Sequence, residues 1–312
     1  MMTNTGGQGA LPALAPIDEP LVSLVVATYR RSAEVQAMLQ SMLLQTERRF
    51  ELIIVDQNLD DRLVPLLKPV IEAGIPLKHV RLKSPGVAAA RNAGLEHVSS
   101  KLVGFPDDDC VYEPDVVAKV VAQFAANPAL NGIVGHWVEL DPAGQRKRER
   151  LTFDDWRRFK GGDVACFVLF FRMPPLRAIG GFSEYLGVGR YFGSAEEEDL
   201  VFRLLGAGYA IDYSPDINIH HKYIDRPQFD FAQRRRNRLY GRGTGAVQAK
   251  HRLPIWVIGR GLCGPLYHGL RSPNPATGFV LAGYTILGRI EGLAGWWLWG
   301  RRLAANPSST PL

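Results

Sequence analysis

This 312-residue sequence predicts an α/β fold: a mostly parallel, Rossmann-like sheet with helices on both faces, followed by a helical C-terminal extension. Three observations lead there. Short apolar runs alternate with amphipathic helical segments through the first half, polar or acidic residues follow three of those runs directly, and the last third turns basic and aromatic. Such alternation implies right-handed crossovers and parallel pairing. Hydrophobic residues make up 46% and charged residues 22%, which supplies a core without disulfide or metal staples.

Residues 1–20 are rich in Gly, Pro, Thr and Ala and read as a disordered lead-in. They lack a basic stretch followed by an apolar one, so a secretory leader is not expected and the chain is placed on the cytoplasmic side. Leu21 to Val26 is a buried strand. Ser32 is placed to cap a helix whose Val35, Met38, Leu39, Met42 and Leu43 form one stripe. Phe50 to Val55 is a second strand, Val80 to Leu82 a weaker third and Leu102 to Phe105 a fourth, with a helix over Val87 to His97. Pro114 suits the first position of the next helix, whose buried face is Val116, Val117, Val120, Val121 and Phe124. Later come strands over Gly132 to Leu140 and Val164 to Phe171, a turn at Gly180-Gly181-Phe182, a helix over Leu200 to Leu205, and a strand Ile217 to Ile219 running into His220-His221. The three cysteines show no CxxC spacing, which suits a reducing compartment and not a structural zinc site.

Ligands of a parallel sheet sit beyond the carboxyl ends of its strands. Thr28-Tyr29-Arg30, Asp56 and Asp107-Asp108-Asp109 stand at those ends. Three adjacent carboxylates repel one another unless a cation offsets them, and together they offer hard oxygen ligands for Mg²⁺ or Mn²⁺. Taken alone, the triplet reads more readily as a solvated acidic turn capping the next helix. Asp56 could accept from a nucleobase imide or a ribose, or simply cap the turn holding Asn58 and Asp60. Gly86 to Gly94 is a helix of small residues that can lie close to a strand or a ligand, with Arg91 as its cation. Glu196-Glu197-Glu198-Asp199 opens a helix, where acids complement the dipole and one can serve as a base. His220 and His221 end an apolar strand, and either is a possible third metal ligand.

Taken in this order, over about residues 21–225, these segments resemble family 2 inverting glycosyltransferases of the GT-A fold, of the bacterial polysaccharide type. The resemblance implies a nucleotide-binding half over 21–112, an acceptor half over 113–225 and a separate extension over 226–312. Thr28, Tyr29, Arg30, Asp56, Arg91, Asp107 and Asp108 would then bind the nucleotide sugar, with Ala27 standing where the family often has Pro. Asp107, Asp109 and His221 would hold Mn²⁺ or Mg²⁺. Gly181 and Phe182 would face the acceptor. Glu197 occupies the position of the catalytic base, more often Asp, with Glu196 as the alternate. The implied reaction moves one sugar, non-processively given no flanking spans, from a UDP-type donor to a glycan or lipid-linked acceptor.

The remainder is basic. The formal net charge is +6, with clusters at Arg146 to Arg150 and Arg234 to Arg238. Gln233 to Asn237 faintly echoes the Gln-x-x-Arg-Trp motif of processive synthases, with Asn237 in place of Trp. Phe279 to Trp299 is apolar, but Arg289 and Glu291 near its middle argue against a span. Trp296, Trp297 and Trp299, followed by Arg301-Arg302, suit peripheral contact with an anionic inner-leaflet surface or packing on the catalytic domain. Two rivals are a catalytically inactive domain of the same shape and a nucleic-acid-binding protein. Acids at the strand ends would repel a phosphate backbone, so no nucleic-acid partner is expected. Gly241 to Gly245 is the one glycine run suggestive of a dinucleotide loop, and it follows no first strand.

Overall fold

The computed structural model describes residues 19–158, 164–221, 230–300 and 302–303. All but the last two residues of the expected lead-in, residues 222–225 of the acceptor half and Arg301 lie outside them.

Strands β1 (Val22–Thr28) and β2 (Phe50–Asp56) are buried almost throughout, as strands covered on both faces must be. They pair in parallel from Val22 opposite Phe50 to Thr28 opposite Asp56, so both end at one level. Between them α1 (Ala33–Leu43) buries Val35, Met38, Leu39 and Met42. Ser32 is its N-cap residue, but the side chain makes no capping bond. Its backbone, at φ −143° and ψ −56°, departs from the extended geometry that aims a hydroxyl at the first turn.

Helix α2 (Val64–Glu72) carries Pro65 and Pro69, which hide it in the sequence. Next come β3 (Leu77–Arg81) and α3 (Val87–Leu95). A side chain at Gly94 would collide with Val25 and Val55, so α3 lies directly on β1 and β2, and its small residues serve that approach. After β4 (Leu102–Gly104) an unexpected short strand appears, β5 (Cys110–Tyr112). Helix α4 (Val116–Ala126) starts two residues after Pro114, which belongs to the preceding turn.

The second half comprises β6 (Gly132–Trp137), β7 (Glu149–Arg150), α5 (Phe153–Arg157), β8 (Leu169–Arg172), α6 (Met173–Ala178), α7 (Glu196–Gly206) and β9 (Ile211–His221). Cys166–Val168, expected as strand, is a 3-10 turn leading into β8. The sheet order is β3-β2-β1-β4-β8-β6-β9-β5, with β7 alongside β9. Pairing is parallel from β3 to β4 and between β6 and β9, and antiparallel elsewhere.

Three helices complete the described chain: α8 (Phe231–Lys250), α9 (Ile255–Leu270) and α10 (Pro275–Gly295), the last ending in a π-helical turn at Trp296–Gly300. Gly241 and Gly245 of α8 lie against the α10 backbone at Thr285 and Arg289, while Gly288 and Gly292 of α10 lie against the α8 backbone at Arg238 and Arg242. The glycine run is therefore a helix–helix seam. Asn237 joins it by donating to Thr285 Oγ1 at 3.1 Å. Arg238 and Arg242 both pair with Glu291. In the other basic cluster, Arg148 and Arg150 pair with Asp216 and Asp212 of β9.

Candidate active site

The parallel register brings Thr28 and Asp56 side by side, and a bridge between Ala27 and Asp107 sets the acidic triplet at the same sheet end. Asp56 is fully buried. Its Oδ1 accepts from the backbone and side-chain amides of Asn58, both at 2.8 Å, and its Oδ2 lies 2.9 Å from His79 Nε2. Asn58 Oδ1 accepts from the Arg30 amide at 2.7 Å, while Gln57 Oε1 accepts from Gly86 N at 2.7 Å. Asp56 thus caps its turn and, through that turn, ties the β1 loop to the start of α3. Tyr29, with the Arg30 guanidinium 5.0 Å from its ring centre, is exposed.

The triplet is divided among different partners. Asp107 Oδ1 accepts from Arg91 at 2.8 Å. Arg31 Nη1 reaches Asp108 Oδ1 and Asp109 Oδ2, each at 2.5 Å. Burial pushes the Asp108 carboxyl up to about 6, against the opposing pull of Arg31. Burial would raise Asp109 as well, but the hydrogen bond and charge of His221, with Arg31, hold it below the usual carboxylate range.

His221 arrives from the far end of the chain. Antiparallel pairing of β5 with β9 sets it opposite Cys110, and its Nε2 lies 3.0 Å from Asp109 Oδ1. The imidazole stacks on Phe167 at 4.7 Å and meets the edge of Trp137 at 5.7 Å. Its Nδ1 is buried without a hydrogen-bond partner. Burial lowers the His221 pKa, and Asp109 and Asp107 more than reverse this, so it stands above its ordinary value. Ligand atoms of Asp107, Asp109 and His221 all lie within 4.8 Å of one another. Two carboxylates and one imidazole fit Mn²⁺ or Mg²⁺, the imidazole suiting Mn²⁺ better. His220 points elsewhere, to Glu139 at 3.1 Å and Glu113 at 3.5 Å.

Helix α7 delivers the acids of the second half. It begins after Ala195, held in the left-handed region at φ 69°, with Glu196 to Asp199 in its first turn. Glu196 Oε1 accepts from Arg91 Nη1 at 2.8 Å. Glu197 Oε2 is buried without a partner, and burial together with the charges of Glu196 and Glu198 raises its pKa well above the ordinary range. A carboxylate with a raised pKa and one oxygen left without a partner suits proton removal near neutral pH.

Two expectations need amendment. Arg91 sits in the middle of α3, 4% exposed, and its two terminal nitrogens are taken by Asp107 and Glu196. It braces the two halves of the site and does not present an anion-binding charge at the helix start. Phe182 is 3% exposed, edge-on to Phe105 at 5.0 Å and under the Arg91 guanidinium. Its backbone is clasped by Asn92, and a side chain at Gly181 would strike Asn92 Oδ1. Neither Gly181 nor Phe182 offers a surface to an acceptor; they fix α3. Sequence reasoning missed Arg31 as a site residue and His79 as the partner of Asp56. The second arginine after β1 was the available signal for the former.

The sequence model for glycosyl transferase family 2 matches residues 23–179, the stretch from β1 through α6. The chain belongs to glycosyl transferase family 2. A family relative, an uncharacterized glycosyltransferase of Haemophilus influenzae, is 34% identical over 116 residues, covering 36% of this chain and 37% of that protein. The chain thus aligns with just over a third of that relative's length. Among solved structures, a mannosyltransferase from Pyrobaculum calidifontis in complex with GDP-Man and Mn²⁺ is similar with a TM-score of 0.64 at 16% identity, over 90% of this chain and 89% of that one. S. aureus TarS in complex with UDP-GlcNAc is similar with a TM-score of 0.55 at 14% identity, over 89% and 91% of the two chains. The fold of this family 2 chain is accordingly the GT-A fold, followed by C-terminal helices.

Proposed function

We propose that the protein transfers one sugar, with inversion and metal dependence, from a nucleoside-diphosphate sugar to a hydroxyl of a glycan or lipid-linked acceptor. The observation that carries this reading is the convergence of Asp107, Asp109 and His221, with Arg91 linking Asp107 to the acids that open α7, where Glu197 keeps one buried oxygen without a partner. Family membership and neighbours that bind GDP-Man and UDP-GlcNAc support a nucleotide-sugar donor. A uracil imide could reach Asp56 only by displacing Asn58 or His79, which already hold its two oxygens.

In this reading Thr28, Tyr29 and Arg30 line the nucleotide side and Asp107, Asp109 and His221 hold Mn²⁺ or Mg²⁺. When bound, the ion supplies positive charge to a departing diphosphate. Glu197 takes the proton of the acceptor hydroxyl as that oxygen bonds to the anomeric carbon. The bond from that carbon to the diphosphate breaks, and the diphosphate leaves with the electron pair. Arg91 holds Glu196 and Asp107 in place, which supports Glu197 over Glu196 as the base. Glu197→Gln is expected to bind donor and Mn²⁺ almost unchanged while transfer falls by about 10²-fold or more, as removal of a general base predicts. Thermal shift with UDP-sugar and Mn²⁺ alongside product formation reads both, and transfer by the variant at the parent rate would remove Glu197 from this role.

A further inference from the structure

Helix α10 is 21 residues long, about 30 Å from end to end, and presents one continuous apolar stripe to the outside. Phe279, Val280, Leu287 and Ile290 recur along it at helical spacing, Trp297 follows in the π-helical turn, and all are exposed, Ile290 by 49% and Trp297 by 76%. The two charges that spoil this segment as a span face inward. Glu291 pairs with Arg238 and Arg242 of α8, and Arg289 donates to the Gly261 carbonyl of α9. Glycines take the α8-facing side, so the large apolar side chains are left facing out.

The adjoining α9 adds exposed Trp256 and Tyr267, each with an arginine over its ring, Arg260 at 5.6 Å and Arg271 at 4.6 Å. Aromatic rings beside arginines are the side chains that settle at a bilayer interface. From 231 to 303 the sequence has twelve Lys or Arg and one acid, Glu291, which is already paired inside. No described helix is long and apolar enough to cross a membrane.

We infer that the α9–α10 face docks this protein onto an anionic lipid surface, with α10 lying in the interfacial plane. A second copy of the chain is the poorer cover, since a self-complementary contact would set Arg260 and Arg271 against their own kind with no exposed acid among the described residues of α8 to α10 to answer them. On its inner side the same segment touches the catalytic half, Trp296 with Tyr185 at 5.8 Å and Trp299 with Tyr191 at 5.9 Å, just ahead of α7. Docking therefore holds the Glu197 end of the cleft close to the bilayer and assigns the acceptor to a lipid-borne class. That last step rests on the transfer reading; the docking itself does not.

The test is co-sedimentation of the full chain, without donor, with vesicles of phosphatidylcholine alone and of phosphatidylcholine with phosphatidylglycerol. Partition onto the anionic vesicles is expected to exceed that onto neutral ones by about tenfold or more and to weaken with salt. Leu287→Glu with Ile290→Glu is expected to abolish the difference while the chain still binds UDP and Mn²⁺ by titration. Equal partition onto both vesicle types, full binding by the double variant, or a parent dimer that the double variant converts to monomer would overturn the inference. Loss of nucleotide binding by the parent chain would instead strike the transfer reading and leave the vesicle result standing.

Discussion

Asp199 is fully buried and gathers four partners: Ser183 Oγ at 2.6 Å, Arg203 Nε at 2.9 Å, Lys250 Nζ at 2.6 Å and His251 Nε2 at 2.7 Å. It lies one turn beyond Glu196 and ties α7 to the end of α8. Burial alone would raise its pKa, but the His251 hydrogen bond and the charges of Lys250 and Arg203 hold it far below the ordinary 3.8. A depressed folded pKa adds stability that is complete above the unfolded value and is lost as pH falls below it. Asp199→Asn should cost about 3 kcal/mol near neutral pH, the scale of breaking a buried ion pair. The gap in urea midpoint between parent and variant should narrow by about pH 3; a gap that widened there would contradict the assignment. At this scale the strand-end acids were legible because position on a strand implies direction, whereas the choice of His221 over His220 needed the family resemblance. Phe182 was not, because an aromatic after two glycines can turn to the cleft or to the core, and only the Asn92 clasp decides which.

Among elements, the α8–α10 seam inverts a simple propensity rule. Ala is normally the better helix former than Gly by about 1 kcal/mol. At Gly288, however, a β-carbon would meet the backbone of Arg238 in α8. Gly288→Ala is therefore expected to destabilise by about 1–3 kcal/mol, the range for overpacking a close contact. A midpoint raised by the substitution would show that the helices are not so close. Alternating strands and helices were readable from β1 to α4, where apolar runs and stripes are long and bounded. Helix α2 was hidden by its prolines, and β5 by its length of 3 residues. Trp296 and Trp299 could not be told from Trp297 by composition, although the first two pack on the catalytic half and only the third is exposed.

For the whole molecule the sheet is the organising object, since its order alone sets Asp56, the triplet and His221 at one end. The fold class was legible from alternation and from the order of the motifs. The antiparallel pairing of the second half was not, because β8 and β9 find partners far away in sequence that no local pattern names. Metal binding should be visible as global stability: a ligand at about a hundred times its Kd adds about 2.7 kcal/mol to a fold that alone binds it. Mn²⁺ is expected to raise the melting temperature of the parent and to leave Asp109→Ala unmoved, with sugar transfer by that variant abolished. An unchanged Mn²⁺ response in Asp109→Ala would move the ion elsewhere.

The pairing of Cys110 with His221 has a consequence for biosynthesis. Asp109 and His221 are 112 residues apart, so a nascent chain has made its aspartates long before its histidine leaves the ribosome. Until that late strand docks, the unfinished protein holds a cluster of negative charge with Arg31 and Arg91 as its nearest relief. Those two arginines are the counterions available before that strand docks, and an ion that needs both Asp109 and His221 would bind only after it has.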